Sequence, residues 1–96
     1  MQRDQADVER GLLAKGFVKT DSHHHYFIYH NTNGKKTRIT TKTSHGNREI
    51  GAHLIAQMAK QCGLSKAEFL SLVDCPLKQG DYENLLIERR KISALA

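Results

Sequence analysis

Val8, Leu12 and Leu13 recur at helical spacing behind Asp4, a residue type that caps helices, and Gly16 follows as a left-handed stop, so a first helix is predicted over about residues 4–15. Residues 17–20 then read as a short strand, and residues 23–30 as a longer one rich in aromatic and β-branched types. Asn31-Thr32-Asn33-Gly34 carries turn chemistry, because Asn-Gly accepts the positive φ of tight hairpins. Beyond it, Thr37, Ile39 and Thr41 alternate with Lys36, Arg38, Thr40 and Lys42, as in a strand with one basic face. The middle of the chain therefore reads as an antiparallel three-stranded meander.

A polar loop over residues 43–47 separates this meander from a second helix, whose apolar face is marked by Ile50, Leu54, Ile55, Met58 and Cys62 and which Gly63 ends. Ser65 and Glu68 have the spacing of a capping box, with Leu64 and Phe69 placed as its hydrophobic staple, which predicts a third helix over residues 66–73. Pro76 prevents its continuation, and Asp81 is the expected cap of a last helix running through Tyr82, Leu85, Leu86 and Ile92. Arg89-Arg90-Lys91 suits the end of that helix electrostatically. The expected class is α+β, in the order α-β-β-β-α, with a three-stranded antiparallel sheet, helices packed on one face and extra C-terminal helices. Double-stranded RNA-binding domains share this order of elements, although order alone does not establish function. Residues 1–73 form the expected domain, and residues 74–96 a helical extension that packs on it or serves association.

Composition adds a constraint on partners. Ninety-six residues, 39% of them hydrophobic, suffice for one modest core. The net charge of +5, from 15 Lys and Arg against 10 Asp and Glu, favours an anionic partner, of which nucleic acid is the commonest. No run approaches the ~18 apolar residues of a spanning helix, and Met1-Gln2-Arg3-Asp4 does not open a signal peptide, so the cytoplasm is the expected compartment and no membrane partner is expected. Cys62 and Cys75 have no Cys-x-x-Cys spacing and are expected to be free thiols.

The segment Asp21-Ser22-His23-His24-His25-Tyr26-Phe27-Ile28-Tyr29-His30 places four imidazoles in ten residues of strand-like sequence. Histidine is the side chain whose ordinary pKa, about 6.5, lets it take and return a proton near neutrality. Strand alternation sets His24, Tyr26, Ile28 and His30 on one face and His23, His25, Phe27 and Tyr29 on the other. Apolar content does not settle which set is buried, but Phe27 and Tyr29 outweigh Ile28, which favours the second set toward the helices and His24 on the open side. His30 and His53 are read as ordinary half-buried or surface residues, and Met58 and Tyr82 as core. Two other readings stay open. His23 and His25 at i and i+2 could chelate zinc with His45, although no cysteine pair or carboxylate completes a recognised spacing. Alternatively, the basic face could hold structured RNA through its shape and phosphates without cutting it.

Taken in order, the first helix, the Ser-His-His strand, the Asn-Gly hairpin, the loop with Ser44-His45-Gly46 and the helix leading to Gly63-Leu64-Ser65-Lys66-Ala67-Glu68-Phe69 resemble a HicA-type toxin, a small mRNA interferase of toxin-antitoxin systems, over about residues 6–73. Asp21 stands where that family usually has glycine, and Thr43-Ser44 replaces a frequent proline. The resemblance implies a double-stranded-RNA-binding-like fold and a ribonuclease that cleaves mRNA by histidine acid–base catalysis, without metal or other cofactor. It maps the essential histidine to His24, with His23 and His25 as register alternatives, and a loop histidine to His45 as proton donor. Lys36 and Arg38 are then the cations for the developing phosphorane, and Lys42, His23 and His25 further RNA contacts. It also implies an acidic HicB-like antitoxin that covers the site, and it leaves a homodimer open.

Overall fold

The computed structural model describes residues 3–21, 24–43, 49–74 and 76–93. Their elements are β1 (Arg3–Asp4), α1 (Gln5–Ala14), β2 (Phe17–Asp21), β3 (His25–His30), β4 (Lys36–Thr43), β5 (Glu49–Ile50), α2 (Ala52–Gln61), α3 (Lys66–Val73) and α4 (Gln79–Glu88). Strands β2-β3-β4 form an antiparallel three-stranded sheet, and β1 pairs with β5 in a separate two-stranded ribbon. The fold is α+β in the expected order, with the meander as read.

Local chemistry sets most of these boundaries. Gly16 closes α1 at φ +98°, a conformation that costs other residues steric energy. In the β3–β4 hairpin, Asn31 Oδ1 accepts from Asn33 N and Lys35 N at 2.9 Å each, and Gly34 takes φ +80°. The capping box at α3 is complete: Glu68 N donates to Ser65 Oγ at 3.2 Å, and Ser65 N donates to Glu68 Oε1 at 2.8 Å.

Alternation then decides the layers. Phe17, Phe27, Tyr29, Ile39 and Thr41 are buried, so one sheet face is covered, with α1 against β2, α2 against β4 and α3 packed on both helices. Helix α4 belongs to the same core. Tyr82 is fully buried, its ring centroid 5.9 Å from that of Phe17 and 5.1 Å from that of Tyr29, and its hydroxyl donates to Cys62 O at 2.8 Å. Glu83 ties the same helix to the hairpin, accepting from Tyr29 Oη at 2.7 Å and from Thr32 Oγ1 at 2.8 Å. Lys15 is buried as well, its ammonium donating to Leu72 O and Leu77 O where the chain leaves α3. Among the described residues no helix is long and apolar enough to cross a membrane.

Several sequence expectations shift. Leu13 is 48% exposed: the buried stripe of α1 is Val8–Leu12 at i, i+4, and Leu13 lies a further 100° round the helix. Ile50 belongs to β5 rather than to the second helix, because residue 51 is still extended and α2 starts at Ala52. Helix α4 starts before Asp81, with Lys78 at its cap position, so Asp81 sits in the first turn, where a negative charge meets the positive end of the helix. The longer strand begins at His25, and His23 lies outside the described residues, as does Cys75. Cys62 is a free cysteine whose thiol burial pushes up to about 12, consistent with an unreactive core position.

Arg89 makes a bidentate pair with Glu68, Nη1 to Oε1 at 2.9 Å and Nη2 to Oε2 at 2.7 Å, joining the end of α4 to the start of α3. The Arg89 hydrogen bond, with the Ser65 backbone, holds the Glu68 carboxyl down at about 2, from an ordinary 4.5. A depressed acid stabilises the fold at pH values above its unfolded pKa and loses that contribution as pH falls through the folded one. The thermal midpoint is therefore expected to fall between pH 4.5 and 2, and less steeply in Glu68→Gln. Identical pH profiles for the two proteins would refute this linkage.

Candidate functional site

The uncovered face of the sheet is built by register. Thr20, Tyr26 and Lys42 form one cross-strand row, and Val18, Ile28 and Thr40 the next. The β3–β4 register shifts between Ile28 and His30, so that His30 pairs with Lys36. Lys36, Arg38, Thr40 and Lys42 are exposed along β4, while Tyr26, Ile28 and His30 are half-buried. His24 immediately precedes β3, and its ring meets that of Tyr26 edge-on, with centroids 6.0 Å apart and planes at 85°. None of Lys36, Arg38 and Lys42 is paired with a carboxylate among the described residues, whereas Arg3, Arg10, Lys19 and Arg89 are. A shallow hollow of about 120 Å³ lies at the edge of this face, lined by Tyr26, Thr40, Thr41, Lys42 and Gln61.

His25 stands on the other side of the sheet. Its row is Asp21, His25 and Thr43, on the face that α1 covers, and Glu9 of α1 gathers that row together. Glu9 Oε2 lies 3.1 Å from His25 Nδ1 and accepts from Thr43 Oγ1 at 2.7 Å and from Gln5 Nε2 at 3.0 Å, while Lys19 Nζ lies 3.6 Å from Oε1. Partial burial pushes the Glu9 carboxyl up, but the hydrogen bonds from Thr43, His25 and Gln5 and the charge of Lys19 outweigh it, and the net shift is downward. An ionised Glu9 is acceptor-only, so the Nδ1 of His25 carries the proton between them. His25 Nε2 lies 3.7 Å from Asp21 Oδ1. This ring is held rather than free to swing, and it sits on the opposite side of the sheet from Lys36, Arg38 and Lys42.

The structure thus brings His24 together with Tyr26 and places the β4 cations on the same face, and it separates His25 from them. His23 and His45 lie outside the described residues. Of the three candidate zinc ligands, only His25 is described, and no group of three metal-ligating side chains occurs among the described residues. His30 Nδ1 lies 3.1 Å from Ile28 O, and His53 is exposed on α2. Sequence reasoning missed Glu9. Its sequence signal is no more than an acid beside the buried Val8, since its facing of His25 and Thr43 depends on how α1 docks on the sheet.

Compared with known proteins, the chain matches no family model, no curated protein and no solved structure.

Proposed function

We propose that the uncovered sheet face binds and cleaves RNA, as in the HicA-type mRNA interferases that the sequence resembles. The observation that carries this reading is the line of carboxylate-free cations Lys36, Arg38 and Lys42 along β4, on the face that also bears Tyr26 and His24. Cations without internal partners attract phosphates, and an aromatic ring among them offers a base a surface to stack on. In the reaction, His24 takes the proton of a ribose 2'-hydroxyl, and the 2'-oxygen bonds to the adjacent phosphorus. The bond from phosphorus to the 5'-oxygen breaks, and that oxygen takes a proton from an acid, the role that the resemblance gives His45. Arg38 and Lys36 hold the negative charge that builds on the phosphorane, where a fixed cation is worth more than in the ground state. The products are a 2',3'-cyclic phosphate and a 5'-hydroxyl. The biological reading is a cytoplasmic toxin acting on mRNA and held inactive by an acidic HicB-like antitoxin seated on this basic face.

Incubating the purified protein with mRNA in EDTA tests it. Fragments ending in 2',3'-cyclic phosphate are expected, together with growth arrest on induced expression. RNA retained uncut, with steep salt dependence, would instead make the protein a binding module. Activity lost in chelator and restored by zinc would make it a metal enzyme.

A further inference from the structure

Between the outer edge of β4 and the segment after α4 lies a recess of about 350 Å³, lined by Arg38, Ile87, Arg90, Lys91, Ile92 and Ser93. A second hollow of about 210 Å³ adjoins it through Arg38, Lys91, Ile92 and Ser93 and runs on to Thr37. Three cations converge here, and among the described residues no carboxylate lines the recess. Arg89, next in sequence, is by contrast committed to Glu68.

The backbone shows what brings them together. Helix α4 closes with Arg90 N donating to Ile87 O at 3.0 Å and Lys91 N donating to Leu86 O at 2.8 Å, the paired closure that needs a left-handed residue just past the helix. Glycine fills that position at least cost. Here it is Arg90, at φ 59°, the one non-glycine residue with positive φ among the described residues. A residue held against its conformational preference points to a use for its side chain. Helix-end electrostatics accounts for cations at 90 and 91 but not for Arg38, which reaches the recess from a different element. Arg38 also belongs to the β4 cation line, so the recess continues the basic face past the edge of the sheet.

We propose that this recess is a phosphate subsite, filled by a backbone phosphate of a single RNA strand that crosses the sheet along β4 and leaves it between Arg38 and the Arg90-Lys91 pair. The inference rests on the RNA reading of the open face and extends its footprint to the C-terminal segment.

The test compares wild type, Arg90→Gly/Lys91→Ala and a charge-matched control, Lys60→Ala/Lys66→Ala, for binding of a fluorescein-labelled single-stranded RNA oligonucleotide across a salt series. Losing the one phosphate contact that the recess makes should weaken binding by about fivefold near 0.1 M salt and make the plot of log K against log salt shallower by about 0.7, with the control close to wild type. The variant should melt no lower than wild type, since glycine suits the left-handed turn, so weaker binding cannot be put down to unfolding. Unchanged affinity and slope in the folded variant would overturn the subsite while leaving the sheet reading in place. If wild type binds no RNA, the sheet reading fails, and an inorganic phosphate titration followed by NMR decides the recess alone: shifts centred on Arg38, Arg90 and Lys91 support it, and their absence overturns it.

Discussion

Replacing His24 with alanine should slow RNA cleavage by about a hundredfold to ten-thousandfold, the span expected when a positioned proton acceptor is removed. The melting temperature should hardly move, because the ring lies on the uncovered face and its described contact is the edge-on meeting with Tyr26. His25→Ala should behave differently. It deprives Glu9 of one donor and empties space beneath α1, so its effect should appear in the melting curve. Single-turnover rates for the two variants, read beside their thermal midpoints, separate the roles. Full activity in folded His24→Ala, with loss in His23→Ala or His25→Ala, would move the general base to one of the register alternatives.

Tyr82→Ala should remove a large part of the stability of the fold. The side chain is fully buried between Phe17 and Tyr29, and its hydroxyl satisfies the carbonyl of Cys62 at the end of α2. Truncating a buried aromatic residue costs about 3–5 kcal/mol. A domain of this size has only about 5–14 kcal/mol in total, taking 0.05–0.15 kcal/mol per residue. Tyr82→Phe should lose less, about 1–3 kcal/mol, for the carbonyl left without its donor. Ending the chain after Asp74 should be at least as damaging as Tyr82→Ala, since Leu86 and the Glu83 link to Tyr29 and Thr32 go with it. Urea unfolding of the three variants checks the ranking. A truncated chain that unfolds with wild-type cooperativity and midpoint would show that residues 1–74 stand alone.

The meander was legible because its signals are local. Asn31 with Gly34 fixes the turn, whereas Phe27 and Tyr29 against Tyr26 and Ile28 only favour the face that the structure buries. The capping box was legible for the same reason, as Ser65 and Glu68 answer each other across a single turn. What escaped depends on contacts between residues distant in sequence. The ribbon of β1 and β5 has two residues on each side and no periodicity to detect. Lys15 reads as a solvated helix end until the chain around Leu72 and Leu77 folds over it. Glu9 became informative only when α1 set it against His25 and Thr43. Of the site, the alternation that sets Lys36, Arg38 and Lys42 on one side of β4 follows from the strand period, but that His24 shares their face depends on the β3–β4 register and on which face the helices cover. The reach of Arg90 and Lys91 to Arg38 likewise depends on where α4 ends in space.

The β1–β5 ribbon joins residue 3 to residue 50, whereas the β3–β4 hairpin closes over five residues, Asn31 to Lys35. Closing the longer loop in a free chain costs about 2 kcal/mol more entropy than closing the shorter one, and two residue pairs recover little of it. The ribbon therefore cannot nucleate anything. It exists because α1 and α2, once docked, hold its two short segments side by side, which makes it a dependent of the core.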